Sequence, residues 1–386
     1  MRGGRGGGVG GGKIRRNRGP VPPPHPVGNM RLLNGGKLPF DLTFFEEIFP
    51  RVTPAPDDSI LSTALLKRNG DIAPTTEEIQ TVQNLVTRIQ SILETLILTP
   101  GTFDACQVDE VRQVGSFKQG TILAGHKTAD FVVILKTLPT REAVEALCNR
   151  VADELRQTEC VRSTVTSRGF DLSNVQATVR VLITTVPHNI RKLDADIHLD
   201  SKIVNEHWQA IRHSRWFEEN CHNSTVKVLI RLLRDMRQRY PGFQPISTWM
   251  LDLLAHYAVM NNPGPNRQAL PINVAFRRTI ALMATGMYLP GYAGTSMRGH
   301  NLTYEDQDLA TATAQTLLRV LAQGGFRVIL GLETCKGLDI IGSSSVWDAV
   351  VVSPLEKVYE KPVDGEQDKI DDDQDAEEED ESTMEA

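Results

Sequence analysis

The chain has 386 residues, 40% of them apolar and 23% charged, enough for a sizeable core in two domains or one large bilobal one. No stretch approaches the ~18 uninterrupted apolar residues of a membrane span, and no apolar run follows the N-terminal charges, so neither a membrane span nor a signal peptide is expected. Charge is unevenly spread: residues 1–40 carry eight Lys/Arg and no acid, and residues 364–386 carry thirteen Asp/Glu and one Lys, so the net −6 hides a basic head, a near-neutral body and an acidic tail.

Residues 1–37 read as disordered. Twelve of the thirty glycines fall within the first forty residues, and such a segment buries too little apolar surface to offset its ordering entropy. Its Arg-Gly-Gly repeats at Arg2 and Arg5, with Arg15, Arg16 and Arg18, suit sequence-tolerant RNA contact through guanidinium stacking and phosphate pairing. A flexible solubilising tail is the alternative. Order is expected from the aromatic cluster near residues 38–45. The capping box Thr75-x-x-Glu78 then opens a helix whose inward face runs Ile79, Val82, Val86, Ile89, Leu93, Leu96 and Ile97, ended by Pro100-Gly101.

Strands follow. Cys106 to Val114 runs into Gly115-Ser116, and Asp130 to Leu135 is a short apolar strand buried on both faces. Arg141 to Arg156 is an amphipathic helix with Val144, Leu147, Val151 and Leu155 inward. Ala177 to Val186 alternates as a strand and stops at Pro187. Beyond about residue 203 the pattern is helical: Val204–Asn220, Ser224–Tyr240, Ser247–Met260, Pro271–Met287 with proline in its first turn, and Thr303–Gln323 closed by Gly324-Gly325. No internal repeat is evident, and the acidic tail begins after about residue 360. The five cysteines are odd in number, widely spaced and lack a C-x-x-C, which argues against a disulfide framework or zinc ribbon and for a reducing compartment.

One stretch carries chemistry. Gly115-Ser116, Gly120 and Asp130 at the head of an apolar strand make the layout of a nucleotide-handling pocket. Nucleotidyl transfer uses two divalent ions held by carboxylates, two of them at i and i+2 of one strand because period 2 places both on one face. Here the position two before Asp130 is Thr128, whose neutral hydroxyl does not replace a carboxylate. Asp194-Ala-Asp196 also spells acid-x-acid, but no Gly-Ser turn precedes it. His207 and His213 are six apart rather than four, and are expected at the surface or facing a partner rather than binding metal. Of Trp208, Trp216, Trp249 and Trp347, most are expected in the core and some as partner anchors.

The run Val114–Leu135 resembles the nucleotidyltransferase signature of 2′-5′-oligoadenylate synthetases, and residues 215–220 and 226–234 resemble the helical lobe of that group. More closely, residues 40–360 resemble the DZF (domain associated with zinc fingers) family, through Phe49–Val52, Ala64–Asn69, Pro100–Phe103, Ile183–Pro187, His256–Pro263 and Gly324–Arg327. The resemblance implies an α+β, nucleotidyltransferase-like bilobal domain over residues 38–360, with a mixed-sheet α/β lobe at about 38–202, a helical lobe at about 203–345 and disordered termini at 1–37 and 361–386. It places the third carboxylate near Arg180, leaving Asp130 as one metal ligand of three, and so implies a non-catalytic protein that requires no cofactor. Nucleotide binding without turnover stays open, with Gly115 and Ser116 on phosphate, Asp130 on one magnesium and Lys227 on the triphosphate of ATP or another NTP. The rivals are active template-independent transfer and an NTP-sensing scaffold. The partners implied are a DZF protein carrying double-stranded-RNA-binding or zinc-finger modules, as a heterodimer, and RNA, with DNA as a further nucleic-acid ligand. The role implied is regulation of transcription and of RNA processing, stability or translation in the nucleus, with nucleolar location and shuttling to the cytoplasm as options.

Overall fold

The computed structural model describes residues 41–44, 57–262, 267–286, 302–333 and 339–356. The head with Arg2, Arg5, Arg15, Arg16 and Arg18, the acidic tail and Cys335 lie outside these residues. The fold is α+β, with a five-stranded mixed sheet in one lobe and a helical second lobe, each around its own core.

After a 3-10 turn at Leu42–Phe44 come two helices, α1 (Ser59–Ile72) and α2 (Thr76–Leu98). Thr75 and Glu78 form the expected capping box at the start of α2. Its buried stripe is Val82, Leu85, Val86, Ile89, Leu93 and Leu96; Leu85 belongs to it, whereas Ile79 in the first turn is exposed. Next come β1 (Val108–Val114), the five-residue α3 (Gly115–Gln119), β2 (Thr128–Leu135) and α4 (Arg141–Arg156). The strands β3 (Arg162–Thr166), β4 (Gly169–Ser173) and β5 (Thr178–Thr185) complete the sheet, in the order β1-β2-β5-β4-β3. β2 and β5 run parallel at the centre and the other pairs are antiparallel. Alternate residues Phe131, Val133 and Leu135 of β2 and Val179, Val181 and Ile183 of β5 bury against α2 and α4, as period 2 requires.

After the short α5 (Pro187–Ile190), helix α6 (Ser201–Asn220) crosses the opposite face of the sheet. The helical lobe follows with α7 (Ser224–Arg239), α8 (Thr248–Met260), α9 (Ile272–Ala284), α10 (Tyr304–Ala322), α11 (Phe326–Ile329) and a hairpin of β6 (Ser345–Trp347) and β7 (Val350–Val352). All five inward residues expected of α7, namely Val226, Leu229, Ile230, Leu233 and Met236, are buried. Pro271 is the residue before α9 rather than within its first turn, and Met287 lies outside the described residues.

The lobes do not divide in simple chain order. α1 lies among the residues grouped by sequence with the α/β lobe, yet Leu61, Ala64 and Leu65 pack in the second core, against α7 and α9. Ion pairs fix it there: Arg68 with Asp235 at 2.6 Å, and Asp58 with Arg277 at 2.8 Å. Asp41 reaches the same lobe, where it accepts two bonds from Arg278 at 3.0 and 2.5 Å.

A candidate pocket at Asp130

The parallel register of β2 and β5 sets Asp130 directly beside Arg180, and β4 sets Asp171 on the other side of Arg180. Across β1, Val114 faces Asp130, so the chain leaves β1 into Gly115 at the carboxylate itself. Residues paired across strands share a face, so Asp130, Arg180 and Asp171 form one charged row on one side of the sheet. Nearer the C-terminal end of β5 this side is closed by α6, where Val204 O accepts from Thr184 Oγ1 at 2.9 Å and Trp208 Nε1 donates to Thr185 O at 2.6 Å. Around the row it is more open: Asp130 is buried, Asp171, Thr128 and Ser116 are half-buried, and Arg180 is exposed.

Arg180 Nε donates to Asp130 Oδ1 at 2.6 Å. Gly115 has φ +77, a conformation that L side chains rarely adopt, and a Cβ there would fall well inside contact distance of Asp130 Oδ2 and 3.3 Å from its Cγ. Glycine therefore lets the backbone close directly onto the carboxylate. Partial burial lowers the Arg180 pKa, but the bond to Asp130 and the charges of Asp130 and Asp171 outweigh it, so the guanidinium lies above its ordinary value. Burial raises the Asp171 carboxyl, opposed by Arg180 and reinforced by Asp130.

The segment after Gly115 is tied to the helical lobe. Arg231 of α7 donates to Gly120 O at 2.8 Å and to Asn69 Oδ1 at 2.8 Å. Arg234 pairs with the buried Asp252 at 2.8 Å and reaches Thr121 O at 3.4 Å. Lys118 of α3 pairs with Glu218 of α6 at 3.4 Å.

Of the residues singled out by sequence, the structure joins Gly115, Asp130 and Arg180. Thr128 heads the same strand, paired with Thr178 of β5. Lys227 lies one turn before Arg231 on α7, half-buried, and no bond joins it to Gly115, Ser116 or Asp130. Asp194 and Asp196 are not on a strand; Asp196 N donates to Asp194 Oδ1 at 3.0 Å in a turn after α5, so the two do not share a strand face. His207 corrects the expectation of a surface residue: it is 2% exposed, with Nδ1 at 2.7 Å from Ile183 O. His213 is half-buried and stacks on Trp249, with ring centroids 3.7 Å apart. Trp208 is held by Thr185 O, while Trp216, Trp249 and Trp347 are partly buried against the helical core.

Asp171 is the site residue that the sequence reading missed. The alternation in Gly169-Phe-Asp-Leu-Ser173, with Phe170 and Leu172 buried, is the only local signal for its strand. Among the described residues no group of three or more His, Cys, Asp or Glu is placed to hold a metal ion. The donor set around Asp130 fits one poorly: Arg180 occupies one oxygen of the single carboxylate, and Thr128 offers a neutral hydroxyl.

The model of the DZF N-terminal domain matches residues 24–222, and that of the DZF C-terminal domain matches residues 225–353. The chain belongs to the DZF family. The two matches meet between α6 and α7. Among solved structures, it is similar to the Cid1 poly(U) polymerase with Mg and 3′-dATP bound, at 11% identity over 69% of this chain and 95% of that chain, with a TM-score of 0.47. It is similar also to a cytoplasmic RNA terminal U-transferase, at 9% identity over 68% and 94% with a TM-score of 0.47. CdnC of E. coli MS115-1, in a complex with HORMA-deltaN, gives 15% identity over 70% and 93%, also with a TM-score of 0.47.

Proposed function

We propose that this DZF protein does not catalyse nucleotidyl transfer and acts as a scaffold subunit. Its DZF domain heterodimerises with a second DZF protein that carries double-stranded-RNA-binding or zinc-finger modules. The complex regulates transcription and the processing, stability or translation of RNA in the nucleus. The observation that carries the non-catalytic reading is the Asp130–Arg180 pair: the carboxylate that would hold a metal is engaged by a guanidinium. A cation fixed in this way disfavours a divalent ion at the same oxygen, and Thr128 supplies no second carboxylate. The partner reading rests on family membership and on the partly buried Trp216 and Trp249, aromatic residues of the kind that anchor interfaces.

The test incubates the purified chain, alone and with its co-purified partner, with labelled NTPs, an RNA acceptor and Mg²⁺ or Mn²⁺. No incorporation is expected. Incorporation abolished by Asp130→Ala would establish the rival, a template-independent nucleotidyltransferase. For the partner, purification from nuclear extract should recover a DZF protein in equal amount with this chain. Recovery that survives charge reversals across residues 247–330 would refute an interface in the helical lobe.

A further inference from the structure

We propose that the sheet face at Asp130 binds a phosphate group directly, without a divalent ion, through the free end of the Arg180 guanidinium. The inference rests on the non-catalytic reading above and names a ligand chemistry for the same site.

A two-metal pocket is lined by acceptors. Its carboxylates repel phosphate and meet it only through the ions between them. The two positions that differ here both change in one sense, because Thr128 and Arg180 each present hydrogen-bond donors where carboxylates were expected. Arg180 uses only Nε on Asp130, at 2.6 Å, and its side chain is 52% exposed. Neither of its Nη groups makes a hydrogen bond among the described residues. Asp130 thus acts as an orienting partner, holding the guanidinium plane while two parallel N–H groups remain for a ligand. That fork matches two oxygens of a phosphate, a geometry that a lysine does not offer.

The surroundings add donors. The hydroxyls of Ser116 and Thr128 also lack a hydrogen-bond partner among the described residues. The opposing charge is Asp171, on the far side of Arg180. The row of Asp130, Asp171 and Arg180 sums to −1, so affinity must come from the fork rather than from the net field.

The phosphate could belong to a free nucleoside triphosphate or to an RNA end, and the experiment separates the two. Full-length protein is titrated by calorimetry with ATP, and separately with a short single-stranded RNA bearing or lacking a 5′-phosphate, in EDTA and again in MgCl₂. Saturable binding in EDTA is expected, changed by Mg²⁺ less than threefold. It should weaken about ten- to a hundredfold in Arg180→Gln, the worth of lost charge-assisted bonds, and less in Arg180→Lys. Preference for the 5′-phosphorylated RNA over ATP would assign the phosphate to an RNA end; the reverse would assign it to a nucleotide. Arg180→Gln should stay folded, its urea midpoint lowered only slightly by loss of the half-exposed pair with Asp130, and Thr128→Val should weaken binding without unfolding. No binding of any probe overturns this proposal and leaves the non-catalytic reading standing. Binding that requires Mg²⁺ and is lost in Asp130→Ala also overturns it, and only incorporation of nucleotide refutes the non-catalytic reading.

Discussion

Replacing Gly115 by alanine tests how tightly the pocket is built. At φ +77 an alanine costs about 1–2 kcal/mol relative to glycine. Its Cβ would also strike Asp130, whose Oδ2 must retreat by roughly 1 Å to reach ordinary contact. Two responses compete. If Asp130 holds its place against Arg180, the backbone at Gly115 must shift, an overpacking cost of about 1–3 kcal/mol. If Asp130 turns away, its bond to Arg180 is lost; Arg180 is half exposed, so that pair is worth at most about 1 kcal/mol. The second route is cheaper, and the total for Gly115→Ala is about 1–3 kcal/mol. Urea denaturation of the full chain, followed by circular dichroism, measures it. In an Asp130→Ala background the clash is gone, and the cost should fall to the backbone part, about 1–2 kcal/mol. An equal cost in both backgrounds, or a wild-type cost below about 0.5 kcal/mol, would show that Gly115 is not packed on the carboxylate as described.

Three further outcomes are expected. Asp41→Asn breaks an ion pair whose side chains are only 2% and 3% exposed, and should cost about 3–5 kcal/mol, much of it recovered by Asp41→Leu with Arg278→Met; a loss under about 1 kcal/mol in urea would refute the pairing. Gly325→Ala would put a Cβ 2.8 Å from the Trp347 ring and closer still to Val320, so it should cost about 1–3 kcal/mol and shift tryptophan emission to the red; unchanged emission would mean that the hairpin does not pack there. Burial lowers His213 from near 6.5 to about 4, so the unfolded chain takes up its proton first and stability falls as pH drops from about 6.5 towards 4. Allowing for its partial exposure, this is about 1–2 kcal/mol, and an unchanged pH slope of the urea midpoint in His213→Gln would rule it out.

How much of this was legible in sequence depended on whether a signal was local. The α2 cap, the apolar faces of α4 and α7 and the central strands each write their period into a short run, and they form where expected. Asp130 and Arg180 were both marked, but only the parallel register makes them neighbours, fifty positions apart. Asp171 went unseen because β3 and β4 are five residues each and rich in hydroxyl and charged side chains, so their alternation is faint. α1 escaped because Ile60, Leu61, Ala64, Leu65 and Leu66 form a blurred stripe with Ile60 and Leu66 exposed. Its place against α7 is set by Arg68 and Asp235, 167 positions apart, and no local pattern encodes such a pair. His207 was misplaced for the same reason, since its burial depends on where α6 meets the Ile183 carbonyl.

The Asp130–Arg180 pair also explains how the pocket keeps its shape with fewer carboxylates. Three carboxylates on adjacent strands repel one another when no ion lies between them, and a bare site of that kind is destabilised by its own charge. With Thr128 and Arg180 in place of two of them that repulsion is absent, and Arg180 lies between Asp130 and Asp171 in the row, bonded to Asp130 alone. The row is then self-neutralising to within one charge. The turn at Gly115 can close on Asp130 with no ligand present, and Arg231 and Arg234 of α7 can hold Gly120 and Thr121 in register with it. On this reasoning Arg180→Asp should not simply restore an enzyme. It should set three carboxylates in one row, loosen the Gly115 turn and lower stability in metal-free buffer by about 1–3 kcal/mol. Added Mg²⁺ or Mn²⁺ should recover part of that loss in the variant and change nothing in the wild type. A variant as stable as the wild type in EDTA would mean that Arg180 does not neutralise the row.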